Sequence, residues 1–317
     1  MKRVAILDDY QGVATTLADW SRVAKDLSVE QIREHVADPT ALARRLQGCE
    51  IVVIMRERTP FPRALFDKLP DLKLLVTSGM RNAAIDLAAA KDRGVIVAGT
   101  PSLGYPTAEL TWGLILALYR HIPYEDRGMR DGQWQRTVGI GVRGKTLGVI
   151  GLGRLGSLVA QVGKAFGAEV IAWSQNLTPE KCAQAGVAYA TKDELLQRAD
   201  IVTIHLILSA RTRGLIGARD LALMKPTAYL VNTSRGPIVD EAALIAALEQ
   251  KRIAGAALDV FDSEPLPAGH KLRTLANTVL TPHLGYVIAE NYRGFFEGAV
   301  DNIRNWLDGK PVRVVEG

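Results

Sequence analysis

The chain alternates short apolar runs with longer stretches whose apolar residues recur at helical spacing. Short apolar runs bounded by turn residues are typical of strands buried in a parallel sheet. Helical stretches between such strands form the crossovers that cover both faces of the sheet. The pattern therefore predicts an α/β protein with two doubly wound parallel-sheet domains. Strands are predicted at 4–7, 51–55, 74–77, 95–98, 146–150, 170–173, 201–205, 228–232, 256–259 and 278–280. Helices are predicted at 13–26, 40–47, 62–69, 86–93, from 107 past 120, 154–166, 192–198, 218–224, 241–250 and 285–307.

The last predicted helix, 285–307, has no strand array of its own and is too short to be a domain. We therefore expect it to pack on the first region of the chain. This predicts one domain made of residues 1–99 plus 284–317, with a second domain at 100–283 inserted into it. A turn-rich stretch at 100–106 marks the first boundary.

Composition narrows the classes of function. The net charge of the 317 residues is +5, from 39 basic and 34 acidic side chains, with no long basic block, so we expect no nucleic-acid site. The apolar runs are shorter than a membrane span, and no signal-peptide pattern stands at the N-terminus. Cys49 and Cys182 have neither metal-ligand nor disulfide spacing, which suits a reducing compartment. The expectation is a cytoplasmic protein without a structural metal.

Three glycines follow the predicted strand 146–150 and open the helix after it. Gly151, Gly153 and Gly156 form the pattern G-x-G-x-x-G between a strand and a helix, which is the context of a dinucleotide fingerprint. Gly151 permits the tight turn, Gly153 leaves room for a pyrophosphate, and Gly156 allows close packing of helix on strand. The helix N-terminus favours phosphate charge.

Three polar residues follow strand ends in the second region. Arg235 comes after strand 228–232, Glu264 lies beyond Asp259, and His283 follows strand 278–280. Each alone also fits a structural role: a solvated loop arginine, a helix-start carboxylate and a hydrogen-bonded histidine. Together they form a set with a clear chemistry. The guanidinium of Arg235 can bind the carboxylate of a ligand, and the imidazole of His283 can exchange a proton while the carboxylate of Glu264 lies beside it.

These motifs resemble those of the D-isomer-specific 2-hydroxyacid dehydrogenase family over nearly the whole chain. The resemblance rests on the stretches 143–156, 232–236 (Asn-Thr-Ser-Arg-Gly) and 281–285 (Thr-Pro-His-Leu-Gly). It implies a Rossmann cofactor domain inserted into a flavodoxin-like substrate domain, a homodimer with a contact near 127–133, and a nicotinamide cofactor. It also implies that Arg235, Glu264 and His283 are catalytic. The implied cofactor-binding residues are Gly151, Gly153, Arg154, Leu155, Gly156, Ser174, His205, Thr233 and Asp259.

The sequence departs from the family pattern where the cofactor ribose is expected. An NAD enzyme commonly has Asp or Glu after the second strand of this domain, whereas residues 174–176 are Ser-Gln-Asn. No arginine follows to accept a 2′-phosphate, so NAD and NADP both remain candidates. His205 precedes Ile207, where the family usually has proline, and His205 is as consistent with a packed strand-end residue as with a cofactor contact.

The predicted substrate loop also departs from the pattern. The resemblance implies that backbone amides of Met80, Arg81 and Asn82 meet the substrate carboxylate. Arg56 ends an earlier strand, and with Arg81 it would suit a second anionic group on the substrate. The alternative is that both arginines pair with local acids such as Glu57.

The sequence thus predicts an NAD(P)-dependent oxidoreductase that transfers a hydride between nicotinamide and a small D-2-hydroxy or 2-oxo acid. Glyoxylate, hydroxypyruvate and 3-phosphohydroxypyruvate are the leading substrates. The alternative is an NAD(H)-sensing interaction protein, similar to the transcriptional corepressors of this fold, which can retain the same catalytic residues.

Overall fold

The computed structural model describes residues 1–316, which form two compact units. One unit is Met1–Leu103 together with the chain from Val287 onward, and the other is Gly104–Tyr286. The boundaries therefore lie at 103/104 and 286/287, where the sequence predicts 99/100 and 283/284.

The first unit contains five strands: β1 (Lys2–Ile6), β2 (Leu27–Gln31), β3 (Cys49–Ile54), β4 (Leu74–Thr77) and β5 (Ile96–Gly99). They form a parallel sheet of order β2-β1-β3-β4-β5, the flavodoxin-like order. The helices of this unit are α1 (Pro39–Arg45), α2 (Arg63–Phe66), α3 (Leu87–Asp92) and, near the C-terminus, α11 (Ala289–Leu307). Helices α1 to α3 enclose one apolar core against the sheet, and α11 contacts β4 and β5.

The second unit contains seven strands: β6 (Thr146–Ile150), β7 (Glu169–Trp173), β8 (Ala188–Tyr189), β9 (Ile201–Ile204), β10 (Tyr229–Asn232), β11 (Gly255–Leu258) and β12 (Thr278–Leu280). They form a parallel sheet of order β12-β11-β10-β9-β6-β7-β8, with an apolar core on each face. Its helices are α4 (Pro106–Tyr119), α5 (Ile122–Arg130), α6 (Arg154–Ala165), α7 (Pro179–Gln184), α8 (Lys192–Arg198), α9 (Ala218–Leu223) and α10 (Glu241–Glu249).

The strand order of the second unit determines where its loops meet. Strands β10, β11 and β12 are neighbours and all run parallel, so the loops that follow them emerge at the same carboxyl edge. The order reverses between β6 and β9, which pair with each other, and ligands of open parallel sheets bind at such a switch point.

The predicted helix at 13–26 is wrong. This stretch consists of turns with a 3₁₀ turn at Trp20–Arg22, and the strand β2 that follows it was missed. The buried carboxylate of Asp9 accepts the amide hydrogens of Val13 and Ala14 at 3.0 and 3.1 Å. The indole of Trp20 donates to the carbonyl of Ala14 at 2.9 Å. In a helix the carbonyl of Ala14 would accept the amide hydrogen four residues later, so its bond to the indole replaces a helical bond.

Further elements differ from the expectation. The helices α5 and α7 and the strand β8 were missed, and α11 begins at Ala289 rather than at 285 because Ile288 is extended. No helix within residues 1–316 has both the length and the apolar character required to cross a bilayer. The same part of the chain contains no group of His, Cys, Asp and Glu side chains arranged to hold a metal ion.

Candidate active site

A short hydrogen bond joins two of the predicted catalytic residues. The Nδ1 atom of His283 lies 2.5 Å from Oε2 of Glu264, and both side chains are mostly buried. The other oxygen of Glu264 accepts the backbone amide of Phe261 at 2.9 Å. A carboxylate at Nδ1 makes that nitrogen the donor, which leaves Nε2 of His283 as the atom that exchanges a proton.

Asp259 fixes the loop that carries His283. This buried residue follows β11, and its carboxylate accepts the hydroxyl of Thr281 at 2.6 Å and the amides of Leu284 and Gly285 at 2.7 and 2.8 Å. Burial raises the pKa of Asp259, and these hydrogen bonds oppose the rise. His283 itself has the left-handed φ of +55°, and its amide donates to the carbonyl of Asp259 at 2.8 Å. The carboxylate predicted to face the cofactor thus also orders the loop that carries His283.

Arg235 lies in a turn that packs on the segment leading to Glu264. The side chain of Asn232, at the end of β10, donates to the carbonyl of Arg235 at 2.9 Å and accepts the amide of Ser234 at 3.0 Å. A Cβ atom on Gly236 would overlap the carbonyl group of Phe261. Glycine is therefore required next to Arg235, because only a bare backbone allows this approach.

The sequence did not identify two contributors to this arrangement. The ring of Tyr286 meets the ring of His283 edge to face, with 5.4 Å between centroids. In the sequence Gly236 is part of the motif 232–236, and nothing in the local pattern shows that its backbone approaches Phe261. The structure thus brings Glu264 and His283 into contact and joins Arg235 to the same segment through Gly236.

The three fingerprint glycines form a cradle at the start of α6. Gly151 has φ of +100°, and a Cβ atom there would lie 2.5 Å from the carbonyl oxygen of His205. A Cβ atom on Gly156 would overlap the carbonyl oxygen of Gly151. At Gly153, the N-cap of α6, a Cβ atom would meet nothing within 4 Å. Open space in front of uncapped helix amides fits the pyrophosphate of a dinucleotide.

His205 follows β9 beside this cradle. Its Nε2 atom lies 2.9 Å from the hydroxyl of Thr203, and its buried Nδ1 has no hydrogen-bond partner within residues 1–316. Burial lowers the pKa of His205 to about 4, so the ring is neutral near pH 7. Both the packed role and the cofactor contact are compatible with this position.

The other predicted cofactor residues lie around the same edge. Leu155 and Arg154 are in the first turn of α6, and the Arg154 guanidinium lies beside Gly104. Ser174 directly follows β7. The buried hydroxyl of Thr233 is 2.9 Å from that of Thr111 on α4. Their contact with the cofactor remains a prediction.

The predicted substrate loop belongs to the first unit, where Asn82 has a structural role. Its side-chain amide donates to the carbonyl of Arg56 at 2.7 Å and to the hydroxyl of Thr77 at 2.9 Å. Its side-chain oxygen accepts the amide of Ala84 at 2.9 Å. The side chain of Asn82 therefore shapes the loop.

The two arginines of this region differ. Arg56 donates to the carbonyl of Ser78 at 3.3 Å, and its Nε atom lies 3.7 Å from the carboxylate of Glu57, in agreement with the alternative of local pairing. Arg81 is exposed and has no hydrogen bond or ion pair within residues 1–316, and Met80 beside it is also exposed. Of the two cations, Arg81 is the one available to a ligand.

Comparisons with known proteins identify the family of the chain. A family model described as D-isomer specific 2-hydroxyacid dehydrogenase, NAD binding domain, matches residues 112–285. A glyoxylate reductase of Aeropyrum pernix is 41% identical over 78% of this chain and 76% of that protein. A D-3-phosphoglycerate dehydrogenase of Bacillus subtilis is 37% identical over 90% of this chain and 54% of that protein. The crystal structure of a phosphoglycerate oxidoreductase from Vibrio cholerae superposes with a TM-score of 0.93 at 35% identity, covering 98% of this chain and 100% of that one.

The fold and the site define a nicotinamide-dependent oxidoreductase of the Rossmann type. The chain belongs to the D-isomer-specific 2-hydroxyacid dehydrogenase family, as its motifs predicted. It spans about half the length of the phosphoglycerate dehydrogenases that it matches.

Proposed function

We propose that this protein interconverts small 2-oxo acids and D-2-hydroxy acids with a nicotinamide cofactor. The bond between Glu264 and Nδ1 of His283 carries the proposal, because it creates a proton donor at Nε2 on the same carboxyl edge of the parallel sheet as the dinucleotide cradle. The glycine cradle supports the cofactor, and family membership supports the substrate class.

Each residue of the site has its own role in the reaction. A bound nicotinamide supplies or accepts the hydride. The guanidinium of Arg235 binds the substrate carboxylate and polarises the adjacent carbonyl. Nε2 of His283 donates a proton to the carbonyl oxygen during reduction and removes the hydroxyl proton during oxidation. Glu264 keeps the imidazole oriented and stabilises its protonated form.

Glyoxylate, hydroxypyruvate and 3-phosphohydroxypyruvate are the proposed substrates. The names of the relatives, glyoxylate reductase and D-3-phosphoglycerate dehydrogenase, support these acids. Each acid, and pyruvate as an uncharged-side-group control, should be titrated against NADH and NADPH oxidation. Turnover of at least one acid is expected, and binding of cofactor without turnover of any would contradict the proposal.

We propose that NAD and NADP are both accepted at the ribose. Ser174 follows β7 in place of the usual carboxylate, so the site has no charge there to repel a 2′-phosphate. The kcat/KM values for NADH and NADPH should lie within about tenfold of each other, that is within about 1.4 kcal/mol. A preference of a thousandfold for either cofactor would contradict this.

Arg81 is proposed to favour substrates with a second anionic group. Its charge has no partner within residues 1–316, whereas Arg56 is engaged locally. The variant Arg81→Gln should raise KM for 3-phosphohydroxypyruvate more than KM for glyoxylate. An equal effect on the two acids, or a wild-type preference for pyruvate, would remove this role.

We propose a homodimer formed through α5 and the segment after it. Large apolar side chains are exposed there, among them Met129, Trp134 and Val138, with exposed fractions of 53%, 72% and 94%. Exposed apolar patches mark interaction surfaces. The double variant Trp134→Glu, Val138→Glu should be monomeric by light scattering. Ile207→Glu, at an exposed position elsewhere, should leave the oligomer intact.

A cofactor-sensing role without catalysis is not favoured, because the relatives are named as reductases and dehydrogenases. We propose the cytoplasm as the location, since Cys49 and Cys182 are buried, unpaired thiols. Fractionation of the cells that produce the protein would check the location.

A further inference from the structure

The catalytic Glu264 lies in the middle of an irregular segment, residues 261–270, here called the Glu264 segment. One carboxylate touches the segment at both ends. Oε1 of Glu241 lies 3.0 Å from Nε2 of His270, and Oε2 of Glu241 lies 3.5 Å from the amide nitrogen of Asp262. Glu241 is the first residue of α10, so this contact ties the segment to a helix of the core.

The hydrogen-bond pattern identifies the proton on His270. Its Nδ1 atom accepts the amide of Leu272 at 3.3 Å and thereby caps the 3₁₀ turn Lys271–Thr274. Nδ1 is therefore unprotonated, and Nε2 carries the hydrogen that is donated to Glu241. The neutral imidazole satisfies both partners, and both side chains are largely buried.

Other charges face the same cluster. Asp262, Asp240 and Arg213 are close enough to interact, and burial together with Glu241 raises the pKa of Asp262. Arg273 donates to the carbonyls of Leu266 and Pro267 and holds the middle of the Glu264 segment from within the following turn. The contact with Glu241 differs from these, because it anchors the segment to another element.

We propose that Glu241 and His270 are positioning residues that hold Glu264 at its bond with His283. The inference rests on the proposed function for its kinetic consequence. Glu264 bonds to His283 at 2.5 Å, a contact that tolerates little displacement of the backbone between Asp262 and His270. Releasing either end lets the carboxylate retreat, and His283 then loses both its orientation and the charge beside it.

Two substitutions separate the two roles of His270. His270→Asn keeps an acceptor near the position of Nδ1 and so preserves the cap on Leu272, but it is too short to reach Glu241. His270→Gln keeps a donor near the position of Nε2 and so preserves the bond to Glu241, but it loses the cap. Glu241→Ala removes the anchor from the other side.

The kinetic test compares these variants with the wild type in the reduction of glyoxylate. His270→Asn and Glu241→Ala should lower kcat about 10- to 100-fold, the range expected when a catalytic group is displaced by about 1 Å. Cofactor Kd should change less than about twofold in both, and His270→Gln should keep kcat within about threefold of the wild type. A loss in His270→Gln that matched or exceeded the loss in His270→Asn would overturn the proposal, because kcat would then not follow the bond between His270 and Glu241.

A second readout is independent of turnover. The ¹H NMR signal of the hydrogen on Nδ1 of His283, assigned with His283→Gln, reports the hydrogen bond to Glu264 directly. The other neighbours of this ring are the backbone of Asp259 and the ring of Tyr286, which packs against it edge to face. In His270→Asn the signal should move upfield or broaden by exchange with water, since the short hydrogen bond is lost.

An unchanged signal from the Nδ1 hydrogen in His270→Asn would overturn the positioning role even if the variant lost thermal stability. Absence of turnover in the wild type would instead contradict the proposed function, and the NMR signal would still decide the role of His270. The two failures are therefore distinguishable.

Discussion

The backbone carbonyl of Asp259 accepts the amide of His283 at 2.8 Å, while its carboxylate accepts the amides of Leu284 and Gly285. One buried residue directly after β11 thus determines the backbone of the loop that carries His283 after β12. The arrangement explains how His283 can adopt a left-handed φ of +55°, because the residues on its C-terminal side are tied down.

Asp259→Asn should destabilise this loop. The amide nitrogen of Asn cannot accept a hydrogen bond, so at least one of the buried donors from Thr281, Leu284 and Gly285 loses its partner. We expect a loss of about 1–3 kcal/mol in the free energy of unfolding, together with a lower kcat. Urea denaturation and steady-state kinetics measure both. Thr281→Val removes a single donor and should have the smaller effect; the reverse order would contradict the account.

Gly236→Ala should displace the backbone on which Arg235 and Glu264 are held. The added Cβ atom would overlap the carbonyl group of Phe261, so the turn of Arg235 and the segment before Glu264 must separate. Overpacking of this kind costs about 1–3 kcal/mol, and we expect kcat to fall with the stability. Gly269→Ala is the matched control, because a Cβ atom there meets nothing within 4 Å. Similar kinetics for the two variants would show that the approach at Gly236 is unimportant.

Alanine substitutions at two of the fingerprint glycines should distinguish an effect on cofactor binding from an effect on folding. Gly153→Ala adds a methyl group in open space and should leave the melting temperature nearly unchanged, yet weaken NADH binding about tenfold or more by occupying the pyrophosphate position. Gly156→Ala collides with the carbonyl of Gly151 and should destabilise the fold itself. Thermal melts and fluorescence titration with NADH distinguish these outcomes. Wild-type affinity in Gly153→Ala would place the pyrophosphate elsewhere.

The free energy of unfolding should fall in mild acid because of His205. Its pKa is lowered to about 4 by burial, so below about pH 6.5 the unfolded chain binds a proton that the folded chain does not. The folded state therefore loses stability as the pH falls from 6.5 towards 4, by about 2 kcal/mol between pH 7 and 5 for this residue. His205→Gln, which can keep the bond to Thr203, should lose less over that interval in urea titrations. An equal loss in both proteins would contradict the burial of a neutral ring.

The sequence predicted six of the seven strands of the second unit because these six are continuous apolar runs between clear turn residues, and it missed the two-residue edge strand β8. It failed for β2, an edge strand whose polar face leaves no apolar run, and for 13–26, where Asp9 and Trp20 hold the chain in turns. Local spacing cannot reveal that a side chain from outside a segment will occupy its backbone groups.

The candidate site also has features that the sequence predicts and features that it does not. The placement of Arg235, Glu264 and His283 beyond strands of one parallel sheet could be predicted, and those strands are neighbours in the structure. The catalytic role of the three residues stays a prediction. The bonds of Asp259 to the loop after β12, and of Glu241 to both ends of the Glu264 segment, depend on residues about 25 and 20–30 positions apart in the chain. Only the tertiary structure brings such partners together.

The most direct test of the account is the oxidation of NADH or NADPH by glyoxylate and hydroxypyruvate in the wild type, His283→Gln and Glu264→Gln. We expect turnover in the wild type. It should fall about 10²- to 10⁴-fold in His283→Gln, the range for loss of a general acid, with cofactor binding retained and a smaller loss in Glu264→Gln. Wild-type rates in His283→Gln would contradict the central claim that the Nε2 atom of His283 transfers the proton.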